Sequence, residues 1–246
     1  MSLSIFFQLF IKFIFCNFYY QIDKFVISIS KKYDNPDEKL LDIGAGQCPY
    51  KIYFKKLKYL SQDIKQNKNK TIDYIGDINK GLNMINSSSF DYILCTQTIE
   101  HIKIPEKAFQ EFHRILRPGG RIFLTTNFIY QIHMAPHDYY RFTKFGLKHL
   151  GKSNGYVVEH LKSHGGIFHV LSHTIVTLPI KLFLKRNKFL YHLYLIVFSI
   201  PIVLINLTAY ILDFFDIDRE MTINYEVVYK KADSKLFKTR LNLASN

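Results

Sequence analysis

Residues 40–50 read LLDIGAGQCPY: an apolar run, Asp42, then Gly44 and Gly46 one residue apart. Glycines so placed after a strand let the backbone turn sharply and approach a ligand where a Cβ would obstruct it. A pyrophosphate-binding turn would place a third glycine at position 49 and open directly into a helix. Position 49 is proline. The acid at the strand end opposes a pyrophosphate and suits an ammonium group, so the ligand should carry positive charge near this loop.

Outward from the loop, short apolar runs alternate with helical stretches from Lys39 on, which predicts a parallel sheet covered by helices. Strands are expected at 39–43, 59–62, 72–75, 90–95, 121–126 and 156–161, with a last one from about 223. Ala108, Phe109, Phe112, Ile115 and Leu116 recur at helical spacing, and RPGG at 117–120 then turns the chain. Thr143 is placed to cap a further helix running to about Leu150. The second strand ends in YLSQD, where Asp63 can accept both hydroxyls of a ribose. The third ends in YIGD, at Asp77.

These features together resemble a class I S-adenosylmethionine-dependent methyltransferase of the small-molecule type. The family pattern of strand, D-x-G-x-G and helix is matched by Asp42, Gly44 and Gly46, and the resemblance implies that they lie under the methionine moiety. The family often has another glycine where this chain has Cys48. The resemblance further implies that Asp77 lies near the adenine amino group with Ile78 on the ring. FDYILCTQTIEHI at 90–102 resembles the family stretch at the bottom of the cofactor pocket, which makes Cys95, Thr96 and Gln97 the positions facing the sulfonium and the acceptor. The resemblance covers Lys39 to about Leu161 and implies a Rossmann-like, seven-stranded, mostly parallel sheet with helices on both faces, and S-adenosyl-L-methionine as cofactor.

The acceptor side is expected after the fifth strand, in QIHMAPHDYYRFT at 131–143. His137 beside Asp138 is a candidate general base, and Arg141 a candidate holder of an anionic part of the acceptor. The alternative is structural: Tyr139, Tyr140 and Phe142 packing the loop while Arg141 pairs with an acid or a carbonyl. Glu100 and His101 form a single Glu-His pair, short of the ligand count of a dedicated metal site, so no metal is expected.

The 246 residues suit one large α/β domain with additions, and 48% hydrophobic against 22% charged residues describes a folded chain. A formal charge of +13 attracts anions, but the Lys, Asn, Ile, Tyr and Phe bias with little Ala is also what an AT-rich coding sequence produces. No nucleic-acid-reading motif accompanies the spread lysines, so nucleic acid is not an expected partner. Three unpaired cysteines, Cys16, Cys48 and Cys95, fit a reducing cytosol. The apolar N-terminus has no leading positive charge and no small-residue cleavage site, and is not read as a signal peptide.

Two apolar segments, 167–184 and 189–215, joined through KRNK, interrupt the sheet before its last strand. They are read as helices lying on a membrane surface, as a packed lid or homodimer element, or as a spanning hairpin. The expected organisation is an N-terminal helical extension at 1–33, a methyltransferase domain at 34–165 and 222–232, the insertion at 166–221, and a tail at 233–246. The expected activity is O-methylation of a small or membrane-proximal acceptor, such as a glycan, lipid or quinone precursor, in the cytoplasm or on the inner face of the membrane. Two alternatives stay open: a non-catalytic adaptor that binds the cofactor, and a nucleic-acid methyltransferase.

Overall fold

The computed structural model describes residues 3–15, 17–184 and 187–232; Cys16, Lys185, Arg186 and the expected tail at 233–246 lie outside them. The chain divides into two compact units, one of residues 25–162 and 225–246, the other of residues 1–24 and 163–224.

The first unit is built on a seven-stranded sheet. In chain order its strands are β1 (Lys39–Ile43), β2 (Lys58–Asp63), β3 (Tyr74–Ile75), β4 (Phe90–Thr96), β5 (Leu116–Asn127), β6 (Tyr156–His164) and β7 (Asn224–Lys231). The spatial order is β3-β2-β1-β4-β5-β7-β6, mostly parallel with one antiparallel hairpin. β1 pairs in parallel with β2 on one side and β4 on the other. Its residues Leu40–Ile43 are all buried, as in an interior parallel strand, with Asp42 the one charged side chain among them. The loop after β1 therefore emerges at the sheet's centre, where the carboxyl ends of parallel strands open a crevice.

Helix α3 (Pro105–Ile115) starts on proline at its first turn and buries Ala108, Phe109, Phe112 and Ile115 along one face. These meet Ile93, Cys95, Ile122, Leu124 and Tyr229 in the core, where each fully buried large side chain stabilises by about 2 kcal/mol. α3 ends one residue early because Leu116 already pairs with Phe90 as a strand residue. RPGG, expected as a turn, is instead a bulge within β5: the pairing steps from Phe90 opposite Leu116 to Tyr92 opposite Arg121. Arg117 at the bulge donates to both oxygens of Asp91 at 2.8 Å. Helix α4 (Lys144–Ser153) is capped as expected, Gly146 N donating to Thr143 Oγ1 at 3.0 Å.

The second unit is helical. It contains α1 (Leu3–Phe15) and the first turns of α2 (Asn17–Tyr33), then α5 (Ile167–Pro179), a π turn at Ile180–Leu184, α6 (Lys188–Val197) and α7 (Ser199–Leu212). The N-terminal extension and the insertion, read as separate segments, thus share one unit, with Phe13 of α1 packing edge-to-face on Tyr210 of α7 at 5.5 Å. The later turns of α2 bury Phe25, Val26 and Ile29 and belong with the sheet. The second apolar segment is not continuous: α6 and α7 meet at a 66° bend.

Candidate functional site

The loop after β1 is fastened from below by Gln62 O, which accepts from Gly44 N at 2.9 Å and Ala45 N at 3.0 Å. Gly44 (φ +69°), Gly46 (+54°) and Cys48 (+55°) are all left-handed. Cys48 therefore adopts a backbone conformation that favours glycine, at a cost of about 1 kcal/mol. Gly44 is constrained twice, because a Cβ there would lie 2.4 Å from both Cγ2 and Oγ1 of Thr98.

Asp42 is 1% exposed. Its Oδ2 accepts from the Tyr59 hydroxyl, while its buried Oδ1 has no partner among the described residues. Burial pushes the carboxyl up to about 7, against the Tyr59 hydrogen bond and with added repulsion from Asp63. A buried carboxylate oxygen without a donor is costly alone and is matched by a cation or an N–H donor brought by a ligand. The ammonium of a methionine moiety provides both.

Asp63 closes β2 and faces the same loop, its Oδ2 accepting from Gly46 N at 2.9 Å and its Oδ1 from Ile64 N at 2.7 Å. Asp77 follows β3 and accepts from Asn79 N and Nδ2 through Oδ1, capping a single 3-10 turn at Ile78–Lys80. Ile78, expected to lie on the adenine, is 8% exposed and packed in the core cluster.

At the end of β4 the structure corrects one residue. Cys95, expected to face the sulfonium, is fully buried on the side of Ile93 in the core, and burial raises its thiol well above the usual range. The strand continues through Thr96, so Cys95 keeps the inward parity of Ile93. Gln97 lies past the strand in a left-handed conformation (φ +51°), half-buried, with Nε2 donating to Thr125 Oγ1 at 3.0 Å. Glu100 is fully buried; Thr126 Oγ1 and Asn127 Nδ2 donate to its two oxygens, each at 3.0 Å, and burial raises its carboxyl to about 7.

The loop after β5 folds back onto this corner, Tyr139 N and Tyr140 N both donating to Glu100 O at 2.9 and 3.2 Å. Its internal pairing differs from the expected one. Asp138 does not orient His137: it forms a two-pronged pair with Arg141 at 2.6 and 2.7 Å and accepts from His133 N at 2.9 Å. The Arg141 guanidinium beside it holds its carboxyl far below the usual range. The exposed His137 contacts the Tyr139 hydroxyl at 3.0 Å. Arg141, expected to hold an acceptor anion, engages every one of its N–H groups: two on Asp138 and the others on the carbonyls of Tyr130, Gln131 and Tyr140. The structural alternative describes this arginine.

In their place the fold assembles His101 and His133, 3.0 Å apart between Nε2 atoms. His101 Nδ1 lies 2.6 Å from the His137 carbonyl, which can only accept, so Nδ1 carries the hydrogen and Nε2 the lone pair. Burial, the largest influence, lowers the His101 pKa and keeps the ring neutral at pH 7. The donor atoms of Glu100, His101 and His133 lie within 4.8 Å of one another, a spacing that could hold a divalent cation. His133 supplies the third donor that the Glu-His pair lacks in sequence. The sequence signal for this cluster was weak: His133 is 32 residues from His101 and becomes its neighbour only when the loop returns. Thr98, on Gly44 and three residues before His101, joins the histidine corner to the glycine loop.

Residues 41–124 match a family model described as a methyltransferase domain. Among curated proteins, a thiol S-methyltransferase of Mus musculus is 30% identical over 67 residues, which are 27% of this chain and 28% of that protein. The chain therefore spans under a third of the length of that relative. Three solved structures share the fold. The [4+2]-cyclase SpnF has a TM-score of 0.54 at 12% identity, over 85% of this chain and 80% of that one. A Haemonchus contortus phosphoethanolamine N-methyltransferase in complex with S-adenosyl-L-methionine has 0.53 at 17%, over 85% and 52%. A Burkholderia thailandensis 1,6-didemethyltoxoflavin-N1-methyltransferase with bound substrate and S-adenosylhomocysteine has 0.53 at 13%, over 85% and 77%. That a cyclase stands among them shows that the fold alone does not fix the reaction.

Proposed function

We propose that this chain, whose residues 41–124 match a methyltransferase domain, is a class I S-adenosylmethionine-dependent methyltransferase that transfers a methyl group to a hydroxyl oxygen of a small or membrane-proximal acceptor. A glycan, lipid or quinone precursor is the acceptor class. The observation that carries the cofactor part is the unpaired, buried Oδ1 of Asp42 beneath a loop whose Gly44 admits no side chain. Asp42 would meet the ammonium, and Asp63 the ribose hydroxyls. Asp77 would lie on the adenine side. Bound there, S-adenosylmethionine supplies an already activated methyl.

What remains for the chain is to position the acceptor and take its proton. His101 fits the second task better than His137. It is neutral at pH 7, its tautomer is fixed by the His137 carbonyl, and its Nε2 carries the lone pair. The acceptor hydroxyl would displace His133 Nε2 from that lone pair and give its proton to His101 Nε2 as the methyl leaves the sulfonium. Tyr139 and Tyr140, fastened to Glu100 O, would wall the pocket. The name of the mouse relative, a thiol S-methyltransferase, favours one further reading, a sulfur acceptor, for which a thiolate would reduce the need for a base.

Calorimetric titration with S-adenosylhomocysteine, followed by assay against phenolic, sugar-hydroxyl and thiol acceptors, tests this. Binding without turnover on any acceptor favours the adaptor; absence of binding sinks the cofactor assignment. Neutral dependence on added RNA or DNA is expected, and strongly salt-dependent nucleic-acid binding would favour the nucleic-acid alternative.

A further inference from the structure

The helical unit buries polar side chains beside apolar ones and presents large apolar side chains outward. On α5 the buried residues include His169 and Ser172, while Leu171, Ile175 and Leu178 stand 51%, 55% and 47% exposed. His169 Nδ1 lies 3.1 Å from Asp213, which Arg219 also pairs at 2.8 Å, so charged groups are gathered within the unit. α6 buries no residue among its apolar run, and α7 buries only Ile202 and Ala209. A helix covering a core in water shows the opposite arrangement, apolar stripe inward and polar face outward. An outward apolar face over polar interior contacts is the arrangement suited to hydrocarbon surroundings.

The charges are segregated as well. From Ile167 to Leu212 there is no Asp or Glu, and the only Lys or Arg residues are Lys181, Lys185, Arg186 and Lys188, within eight residues of sequence. Phe183, within that stretch, and Phe189, next to Lys188, are 77% and 73% exposed. The acids stand at the other end of the hairpin. Gly166 N donates to Asp213 Oδ1 and Ile167 N to Asp216 Oδ2, each at 2.7 Å, so both carboxylates face the amino end of α5. Gly166 is required for that approach, since a Cβ there would lie 2.0 Å from Asp216 Oδ2.

β6 and β7 are neighbours in one sheet, so the intervening chain must leave and return on the same side of any bilayer. The run Ile167–Leu184 has 18 residues and could cross once, but the return path bends by 66° between α6 and α7. A hairpin crossing would also carry its basic stretch to the side opposite the sheet, against the usual placement of Lys and Arg. We propose that the helical unit seats in one leaflet of an anionic bilayer, with its outward helix faces among the acyl chains and Lys181 and Lys188 on the headgroups. This deepens the proposed function by naming the surface on which the acceptor is met.

Flotation of the full-length chain with vesicles of phosphatidylcholine, and of phosphatidylcholine with phosphatidylglycerol, tests the proposal. The chain is expected to float with both and to partition more strongly onto the anionic vesicles, the difference shrinking as salt is raised. Replacing Lys181, Lys185, Arg186 and Lys188 by Gln should lower the anionic partition by about fivefold per charge and leave the neutral one unchanged. Leu171→Glu with Ile175→Glu and Leu178→Glu should abolish both, with S-adenosylhomocysteine affinity retained as the sign of a folded methyltransferase unit. A wild-type chain that stays at the bottom with both vesicle types overturns the proposal. So does a vesicle-free dimer, seen by light scattering, that the triple Glu variant dissociates. Loss of S-adenosylhomocysteine binding with flotation intact would count against the cofactor reading and not against this one.

Discussion

Binding of the cofactor should release a proton from Asp42. The carboxyl is buried and raised to about 7, from a usual value of 3.8. Below pH about 4 both folded and unfolded chains hold this proton, and burial costs nothing through ionisation. Between about 4 and 7 the folded state binds more protons than the unfolded one, so stability falls as pH rises. Above 7 the full penalty applies, about 4 kcal/mol for a shift of roughly three units. An ammonium placed against the unpaired Oδ1 favours the carboxylate and reverses the shift. Saturating ligand should then expel about half a proton at pH 7, nearly one at pH 6 and almost none at pH 8.5. Calorimetry with S-adenosylhomocysteine in buffers of different ionisation enthalpy reads that number directly. Asp42→Asn should weaken binding by about tenfold to a hundredfold, the loss of a charged hydrogen bond, and abolish the proton release. Glu100 is also raised to about 7, which makes the Asn variant the necessary control. Equal heats in all buffers for the wild type, or an unchanged release in Asp42→Asn, would refute the placement of the ammonium.

Gly44→Ala should destabilise the chain by about 2–4 kcal/mol, from left-handed strain and from overpacking against Thr98, and weaken S-adenosylhomocysteine binding. Adding Thr98→Ala should recover part of the overpacking and none of the strain; equal melting temperatures for single and double variants would contradict this contact. Arg141→Ala leaves Asp138, 3% exposed at its side chain, without its partner, and should cost about 2–3 kcal/mol in denaturant unfolding, allowing for a guanidinium that is one-quarter exposed. Because the Asp138 carboxyl is depressed on folding, that contribution is present above pH about 4 and should be lost as pH falls further. His101→Ala should lower turnover by about a hundredfold with little change in S-adenosylhomocysteine affinity, whereas His137→Ala should do neither; the reverse pattern in steady-state assays would restore His137 as the base.

The proposed cofactor half of the site can be read from the sequence because each of its parts is local. Asp42, Gly44, Gly46, Asp63 and Asp77 all lie at strand ends, and a strand end can be found from an apolar run and the turn residues after it. The sheet was legible for the same reason, down to the cap at Thr143. The acceptor half was not. Asp138 follows His137 in sequence, yet the two side chains point to different partners, Arg141 and Tyr139. Adjacency along a loop carries no direction, and the direction came from the return of the loop over Glu100. Cys95 failed for a narrower reason: one more strand residue fixed which face it occupies. The grouping of residues 1–24 with the insertion needed contacts between α1 and α7, which no spacing within either segment announces.

The five-fold engagement of Arg141 has a consequence for selectivity. Its carbonyl partners at Tyr130, Gln131 and Tyr140, with Asp138 between them, tie both ends of one loop to a single planar group. A loop so tied is preorganised, and little ordering entropy is left to lose when an acceptor arrives. As the proposed wall of the acceptor site, such a loop would admit guests by outline instead of moulding to them. Close analogues that differ by a bulky substituent should be refused outright, and those that differ only in charge should be tolerated, because the one cation in the loop has no donor left to offer.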